Sequence, residues 1–403
     1  MKVLVIGLSP SLLTSRGKLC SVILRYLYIN GIPVSGLVWG HDTNYFIPDT
    51  DGKFYFHFPL DNTEHKIPIT PFVRGDNESV IIYETIKSLR PDVVLTIGDY
   101  NDFLYMKAVK SFCDEIKWMW VLSNYSSPIN ENNRELVNSA DGILCTSEYG
   151  YSSIKDFFEK ELIEYCYVGT NSNVFHPMSR MNKNKIFQIM VSGKNSQVDN
   201  IPSVIEAVSK AKKIIPELNT YIHTNLYDSC GEYDLEQIVY RFDPKGEFIH
   251  FPNKCVSIFG GISHEDLAGQ LSLSDIFISV PLISATSMSV FDALGCGCFP
   301  ILSNCGSNIN LARLLSEYSQ NRYKSDDFLV RCANLMAPGG TYLSICDCDD
   351  LTQKIINAYN IKGDWQVFSQ FIHQYTREGF LKAVVNMLIK VKESGEILCL
   401  EGI

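Results

Sequence analysis

No uninterrupted apolar run in the sequence reaches the ~20 residues that a membrane-spanning helix needs. Met1 to Gly7 is apolar, but it is too short for the core of a secretory signal, and polar residues and Arg16 follow it. A basic excess is also missing. Lys and Arg number 35 against 45 Asp and Glu, a formal net charge of -10, and the acidic surplus lies in both halves. A chain charged in this way gains little from polyanions, so nucleic acid is disfavoured as a partner. There is no internal repeat and no low-complexity tract. Nor is there a Gly-x-Gly-x-x-Gly after the first apolar run, because Gly7 is followed by Leu8-Ser9-Pro10. A dinucleotide cofactor is therefore not expected. These absences point to a protein of the cytoplasm and leave peripheral membrane contact open.

What is present suits a globular protein with two or three domains: 403 residues, 46% of them hydrophobic and 20% charged. The 13 cysteines are odd in number and scattered, which reads as reduced thiols. Cys296 with Cys298, and Cys346 with Cys348, form C-x-C pairs. Neither has further Cys or His beside it at zinc-ribbon spacing, so buried structural thiols are favoured and no metal site is expected.

The recurring pattern is a short apolar run followed by a helical stretch. Strands are predicted at Lys2 to Gly7, Val34 to Val38, Val93 to Ile97, Trp118 to Leu122 and Gly142 to Cys145, with helices near 18–30 and 80–89. A segment rich in Asn, Lys, Ser and Pro, Asn171 to Lys185, reads as a linker. A second set follows, with strands at Phe187 to Val191, Thr220 to Thr224, Val256 to Phe259, Ile276 to Val280 and Phe299 to Leu302. Helices are predicted at Pro202 to Ile214, Ser287 to Leu294, Leu351 to Ala358 and about 365–392. Such spacing implies two doubly wound, Rossmann-like α/β domains with parallel sheets facing a cleft. The expected divisions are 1–175, 176–364, and helices at 365–403 that return to the first domain.

In doubly wound folds, ligands bind where strands end in loops that lead into helices. The loop Ser192-Gly193-Lys194 through Ile201-Pro202 places a glycine and a cation between a strand and a helix, a reasonable diphosphate site. It also reads as an ordinary solvated loop. Ser287, Met288 and Ser289 open a helix whose free amides and hydroxyls suit a phosphate, and Asp292 suits ribose hydroxyls. Locally, N-capping serines and a first-turn Asp explain the same residues. His223 ends a strand, where a satisfied structural histidine is the better reading.

The order of these segments resembles the retaining GT-B glycosyltransferases of the group 1 type. Asn173-Val174-Phe175-His176-Pro177 is similar to their interdomain phrase, and Gly193-Lys194-Asn195 through Asn200-Ile201-Pro202 to their diphosphate loop. Gly261-Ile262-Ser263 through Ile276-Phe277-Ile278 resembles the run that holds the nucleotide base. Phe291-Asp292-Ala293-Leu294-Gly295-Cys296-Gly297 resembles Leu-Glu-Ala-Met-Ala-Cys-Gly. Pro91-Asp92-Val93-Val94, Gly98-Asp99 and Thr146-Ser147-Glu148 match habits of the first domain.

The resemblance implies a glycosyltransferase that takes a UDP-, GDP- or ADP-sugar and a carbohydrate or other hydroxyl acceptor, with no cofactor and no metal. Lys194 and Arg16 would stabilise the diphosphate, with Asn124 and Asp99 on the catalytic side. Ser192, Gly193, His223, Gly261, Ile262, Ser287, Met288, Ser289, Asp292 and Gly17 would hold the donor. Several positions depart from the family, and the glycine pair of its first domain is reduced to Gly17. Val198 and Asp199 stand where Arg and Lys are usual, and Ser284 stands where the first Glu of a Glu-x7-Glu pair is usual. Two other readings follow: a catalytically impaired homologue that binds or scaffolds, and a viral-type transferase that modifies a nucleic-acid base.

Overall fold

Buried apolar strands become two parallel sheets in the computed structural model. It describes every residue except 13, 41–47, 76, 114, 124–127, 179–185, 227–230, 254–261, 286–287, 338–340, 362–364 and 395–403. The chain forms two compact units, one of Met1–Asn124, Ile129–Tyr167 and Gly379–Ile403, the other mainly Val168–Glu378.

The first unit contains β1 (Val3–Leu8), α1 (Ser15–Ile29), β2 (Val34–Trp39), β3 (Phe54–Leu60), β4 (Thr63–Phe72), α2 (Glu78–Leu89) and β5 (Val93–Gly98). It continues with α3 (Met106–Phe112), β6 (Lys117–Leu122), α4 (Glu131–Ser139), β7 (Gly142–Cys145), α5 (Glu148–Ile154) and β8 (Ile163–Tyr165). The sheet order is β3-β4-β2-β1-β5-β6-β7-β8. Neighbours pair in parallel except β3 with β4. Helices cover both faces, so Val3, Leu4, Val5 and Ile6 of β1 are all fully buried. The two buried tryptophans of β6 satisfy their indole N–H groups inside the core. Trp118 donates to Thr96 Oγ1 at 2.8 Å and Trp120 to the Gly98 carbonyl at 3.2 Å.

The second unit begins with β9 (Phe187–Ser192), α6 (Ile201–Lys212), β10 (Leu218–His223), α7 (Leu235–Phe242), β11 (Ile249–His250), α8 (His264–Leu273) and β12 (Ile276–Ser279). Then come α9 (Met288–Gly295), β13 (Phe299–Ser303), α10 (Ser307–Tyr318), α11 (Ser325–Phe328), β14 (Leu329–Val330), β15 (Cys332–Met336) and β16 (Tyr342–Cys346). The helices α12 (Cys348–Ile361), α13 (Gln366–Ile372) and α14 (Arg377–Glu393) complete the chain. Its main sheet runs β11-β10-β9-β12-β13-β14, all parallel, and β15 with β16 is a separate antiparallel hairpin.

The strands anticipated from continuous apolar runs are present within a residue or two, apart from 256–259, which lies outside the described residues. The hairpins β3–β4 and β15–β16 were not anticipated. β3, β4 and β16 mix buried with exposed positions and β15 is exposed along most of its length, so none of them reads as a buried apolar run. The linker expectation also differs from the structure. The units divide between Tyr167 and Val168, and Asn171–Phe175 folds as a turn inside the second unit. The Phe175 N–H donates to the Asn171 carbonyl at 2.9 Å, and the Phe175 side chain is buried. The C-terminal stretch contains the helices α13 and α14, and α14 from Gly379 on belongs to the first unit. Among the described residues no helix is long and apolar enough to cross a membrane.

Phe380, Val384, Met387, Leu388 and Val391 form the buried face of α14. A Cβ on Gly142 would lie 2.4 Å from Val391 Cγ2, which shows how closely this helix lies on β7. Leu388 is fully buried, so Leu388→Ala should destabilise the protein by about 2–4 kcal/mol. Urea unfolding measures this, and a midpoint equal to that of the wild type would contradict the placement of α14.

Candidate donor and acceptor sites

Each sheet has a switch point from which successive parallel strands lead off in opposite directions. β9 leads outward to β10 and β11, while its other neighbour, β12, leads to β13. The carboxyl ends of β9 and β12 therefore flank the topological switch point of the second unit, where a crevice for ligand opens in such folds. Two loops meet there. The Leu282 N–H donates to the Val198 carbonyl at 2.8 Å, and Asn200 Nδ2 donates to the Val280 carbonyl at 3.4 Å. Asn200 adopts the left-handed conformation (φ 54°, ψ 37°), which asparagine tolerates, and this sharp turn ends the loop and starts α6. Pro202 follows in the first turn, where its missing N–H costs nothing.

Within the first of these loops, Asp199 turns back on its own backbone. Its Oδ2 accepts from the Lys194 N–H at 3.2 Å and from Ser196 Oγ at 2.8 Å. Gly193 permits this, since a Cβ there would stand 3.1 Å from the Asp199 side chain. Burial raises the Asp199 carboxyl above its ordinary pKa, and the Ser196 and Lys194 hydrogen bonds oppose that rise. Asp199 therefore closes the loop rather than facing outward. The Lys194 side chain is exposed, and among the described residues its ammonium has no hydrogen bond or ion pair. Ser192 is register partner to His223, and the Gly193 N–H points to the His223 carbonyl at 3.5 Å. The structure thus brings Ser192, Gly193, Lys194 and His223 together.

Met288 and Ser289 open α9. The Met288 side chain is buried in the core, so only its backbone is available to a ligand, whereas Ser289 is half-buried. Asp292, one turn on, accepts from Thr170 Oγ1 and pairs with Arg377 at 3.4 Å. Gly295 continues that face, where a Cβ would clash with the Phe175 carbonyl oxygen at 2.7 Å. This side of α9 packs on the 169–175 segment. Ser284 is buried, its hydroxyl 3.2 Å from Ser307 Oγ and 3.0 Å from Asn308 Oδ1. Ile262 precedes Ser263, the cap of α8. Gly261, Ser287 and Asn124 lie outside the described residues. Among the described residues no group of three or more His, Cys, Asp or Glu is placed to hold a metal.

The first unit has its own switch point, between β1 and β5. Gly17 sits in the first turn of α1, where a Cβ would lie 2.3 Å from the Leu12 carbonyl oxygen and 2.8 Å from that of Ser9. Only glycine fits. Arg16 donates to Asp102 Oδ2 at 2.5 Å, and Arg74 approaches Asp102 Oδ1 at 3.2 Å. Asp102 in turn accepts the Asp99 N–H at 2.9 Å. Gly98 makes room for this, because its φ is +154° and a Cβ would fall 2.6 Å from Asp102 Oδ2. Asp99 is buried and takes the Tyr100 N–H at 2.7 Å. Burial pushes the Asp99 carboxyl up to about 6, against the Tyr100 hydrogen bond and the Arg16 charge. Sequence reasoning missed Asp102 and Arg74. The Asp99-x-x-Asp102 spacing was a usable signal, for it is the pattern of a reciprocal cap and forms one here. Arg74 carried no such signal.

No family model matches the chain, and no curated protein matches it. Solved structures do. One is sucrose-phosphate synthase from Thermosynechococcus elongatus, 13% identical with a TM-score of 0.70 over 98% of this chain and 100% of that one. Another is the trehalose-6-phosphate structure from E. coli bound with UDP-2-fluoro glucose, 10% identical with a TM-score of 0.67 over 98% and 99%. A third is a glycosyltransferase from Rickettsia africae, 14% identical with a TM-score of 0.65 over 97% and 98%.

The raised pKa of Asp99 carries a pH signature. Between about pH 4 and 6 the folded state holds more protons than the unfolded one, so stability falls as pH rises through that window. Asp99→Asn should gain stability over the wild type above pH ~6, by about 3 kcal/mol, and lose that gain below pH ~4. Thermal melts across pH 3.5 to ~8 check this; a constant difference at every pH would contradict it. At identities this low the likeness to solved structures is one of fold, and that fold is GT-B: two doubly wound, Rossmann-like units in one chain.

Proposed function

We propose that the chain is a glycosyltransferase that moves a sugar from a nucleotide diphosphate sugar to an acceptor hydroxyl, on a glycan, a lipid-linked glycan or another molecule. The observation that carries this reading is the exposed Lys194 ammonium on a loop pinned at the β9/β12 switch point. When the bond from the anomeric carbon to the donor phosphate breaks, negative charge grows on the departing diphosphate. Fixed cations and helix amides aimed at that charge stabilise it without a metal. Lys194 supplies the cation, and the start of α9 supplies backbone amides. The acceptor proton passes to a phosphate oxygen of the donor itself. Retention of anomeric configuration is part of this reading. The neighbours support it: one is bound with UDP-2-fluoro glucose, and another concerns glycosyltransfer with retention by trehalose-6-phosphate synthase.

A second reading, a homologue that binds donor without turnover, is favoured by Ser284. It stands where the resembled family has its first Glu, and its hydroxyl is already engaged by Ser307 and Asn308. It presents no carboxylate to a sugar.

A thermal-shift screen with UDP-, GDP- and ADP-sugars tests the first reading. A donor at about 100 times its dissociation constant should add about 2.7 kcal/mol of stability. Lys194→Ala should lose most of that shift while melting like the wild type without ligand. No shift with any donor would overturn the proposal; a shift without sugar release or transfer would favour the second reading.

A further inference from the structure

The hairpin β15–β16 places two cysteines opposite each other. Cys332 and Cys346 are register partners in an antiparallel pair. The type of that pair follows from its neighbours. Asp347 N–H donates to the Arg331 carbonyl at 2.8 Å, so the pair just outside is hydrogen-bonded. Ser344 N–H turns away from the hairpin and donates to the Leu282 carbonyl at 2.7 Å, so the Asn334/Ser344 pair is not. Pair types alternate along an antiparallel ladder, and Cys332/Cys346 is therefore a non-hydrogen-bonded pair. Such pairs hold their Cα atoms about 4.5 Å apart with side chains close, within the ~4.4–6.8 Å that a disulfide spans. On the same face, Ser344 Oγ touches Asn334 Oδ1 at 3.2 Å, which shows that opposing side chains meet. Cys332 is partly exposed and Cys346 is buried, and both are free thiols here.

We propose that Cys332 and Cys346 form an oxidisable pair that closes to a disulfide on reaction with a low-molecular-weight disulfide such as oxidised glutathione. Cys332, the accessible thiol, loses its proton and attacks one sulfur of the reagent. The reagent's S–S bond breaks and one molecule of reduced thiol leaves with that proton. Cys346 then loses its proton and attacks Cys332 Sγ in the mixed disulfide. The second reduced thiol leaves, protonated, and the protein has lost two electrons and two protons to the reagent. Burial raises the pKa of both thiols, so the exchange is slow. It also means that little thiolate stabilisation is lost on oxidation, which favours the closed form at equilibrium.

The pair is wired to the candidate donor loop. Cys346 Sγ accepts from Asn200 Nδ2 at 3.3 Å, and Asn200 is the residue that turns the Lys194 loop into α6. Oxidation replaces that thiol with a weaker acceptor. The site itself stands independently of the proposed function; its effect on donor rests on that reading.

The full chain is incubated with oxidised glutathione, alkylated without reduction, and analysed by intact mass and peptide mapping. The expected result is a loss of about two mass units and a Cys332–Cys346 cross-linked peptide, with the folded protein's melt retained. Cys332→Ser, a partly exposed and conservative change, should abolish the cross-link, and Cys305→Ser, which removes the other buried thiol near Cys332, should retain it. Alkylation of both thiols after oxidation, or a cross-link that survives Cys332→Ser, would overturn the site. Where the cross-link forms, nucleotide-sugar affinity should fall about two- to fivefold, the worth of one modest hydrogen bond. Unchanged affinity would overturn the coupling and leave the cross-link standing.

Discussion

The hydrogen bond from Leu282 N–H to the Val198 carbonyl joins the loops that follow β9 and β12, the two strands that flank the switch point of the second sheet. Much of the candidate donor site depends on that link. It holds the Lys194 loop beside the start of α9, and Asn200 reinforces it through the Val280 carbonyl. The hairpin joins the same arrangement through Ser344 N–H and the Leu282 carbonyl. A cation on a loose loop would have to be ordered when the ligand arrives, at an entropic cost. Here the backbone that carries it is already bonded on both sides.

Charge at the two switch points is arranged in opposite ways. In the first unit, Asp102 is shared by Arg16 and Arg74, so the arginines meet a carboxylate that is already in place. In the second, Asp199 is satisfied by its own loop, and the Lys194 ammonium is left for solvent or ligand. An outward carboxylate about 4 Å from a diphosphate would oppose binding by ~4 kcal/mol per unit-charge pair at an effective dielectric of ~20. Folding Asp199 inward reduces that conflict. Asp199 stands where the resembled glycosyltransferases carry a cation, and its inward turn accommodates the carboxylate.

Much of the fold was legible because buried parallel strands leave short apolar runs and helices leave a 3.6-residue period. The candidate positions around Lys194 were legible for the same reason, as they follow strand ends. What escaped reading is non-local. Arg16 and Arg74 meet Asp102 from far along the chain, and Asp292 meets Arg377 only after the intervening helices have packed. No local pattern encodes those pairs. The linker was misplaced because Asn171 and Asn173 are turn-formers wherever they stand, whether between domains or inside one. The inward turn of Asp199 was hidden as well, since it depends on Gly193 leaving space for a side chain six residues on.

Amide hydrogen exchange with UDP, GDP and ADP tests the central claim most directly. A nucleoside diphosphate seated at the β9/β12 switch point should slow exchange in the loop from Ser192 to Asn200 and in the first turn of α9. Protection confined to the first unit, or absent from both loops at saturating ligand, would contradict the account.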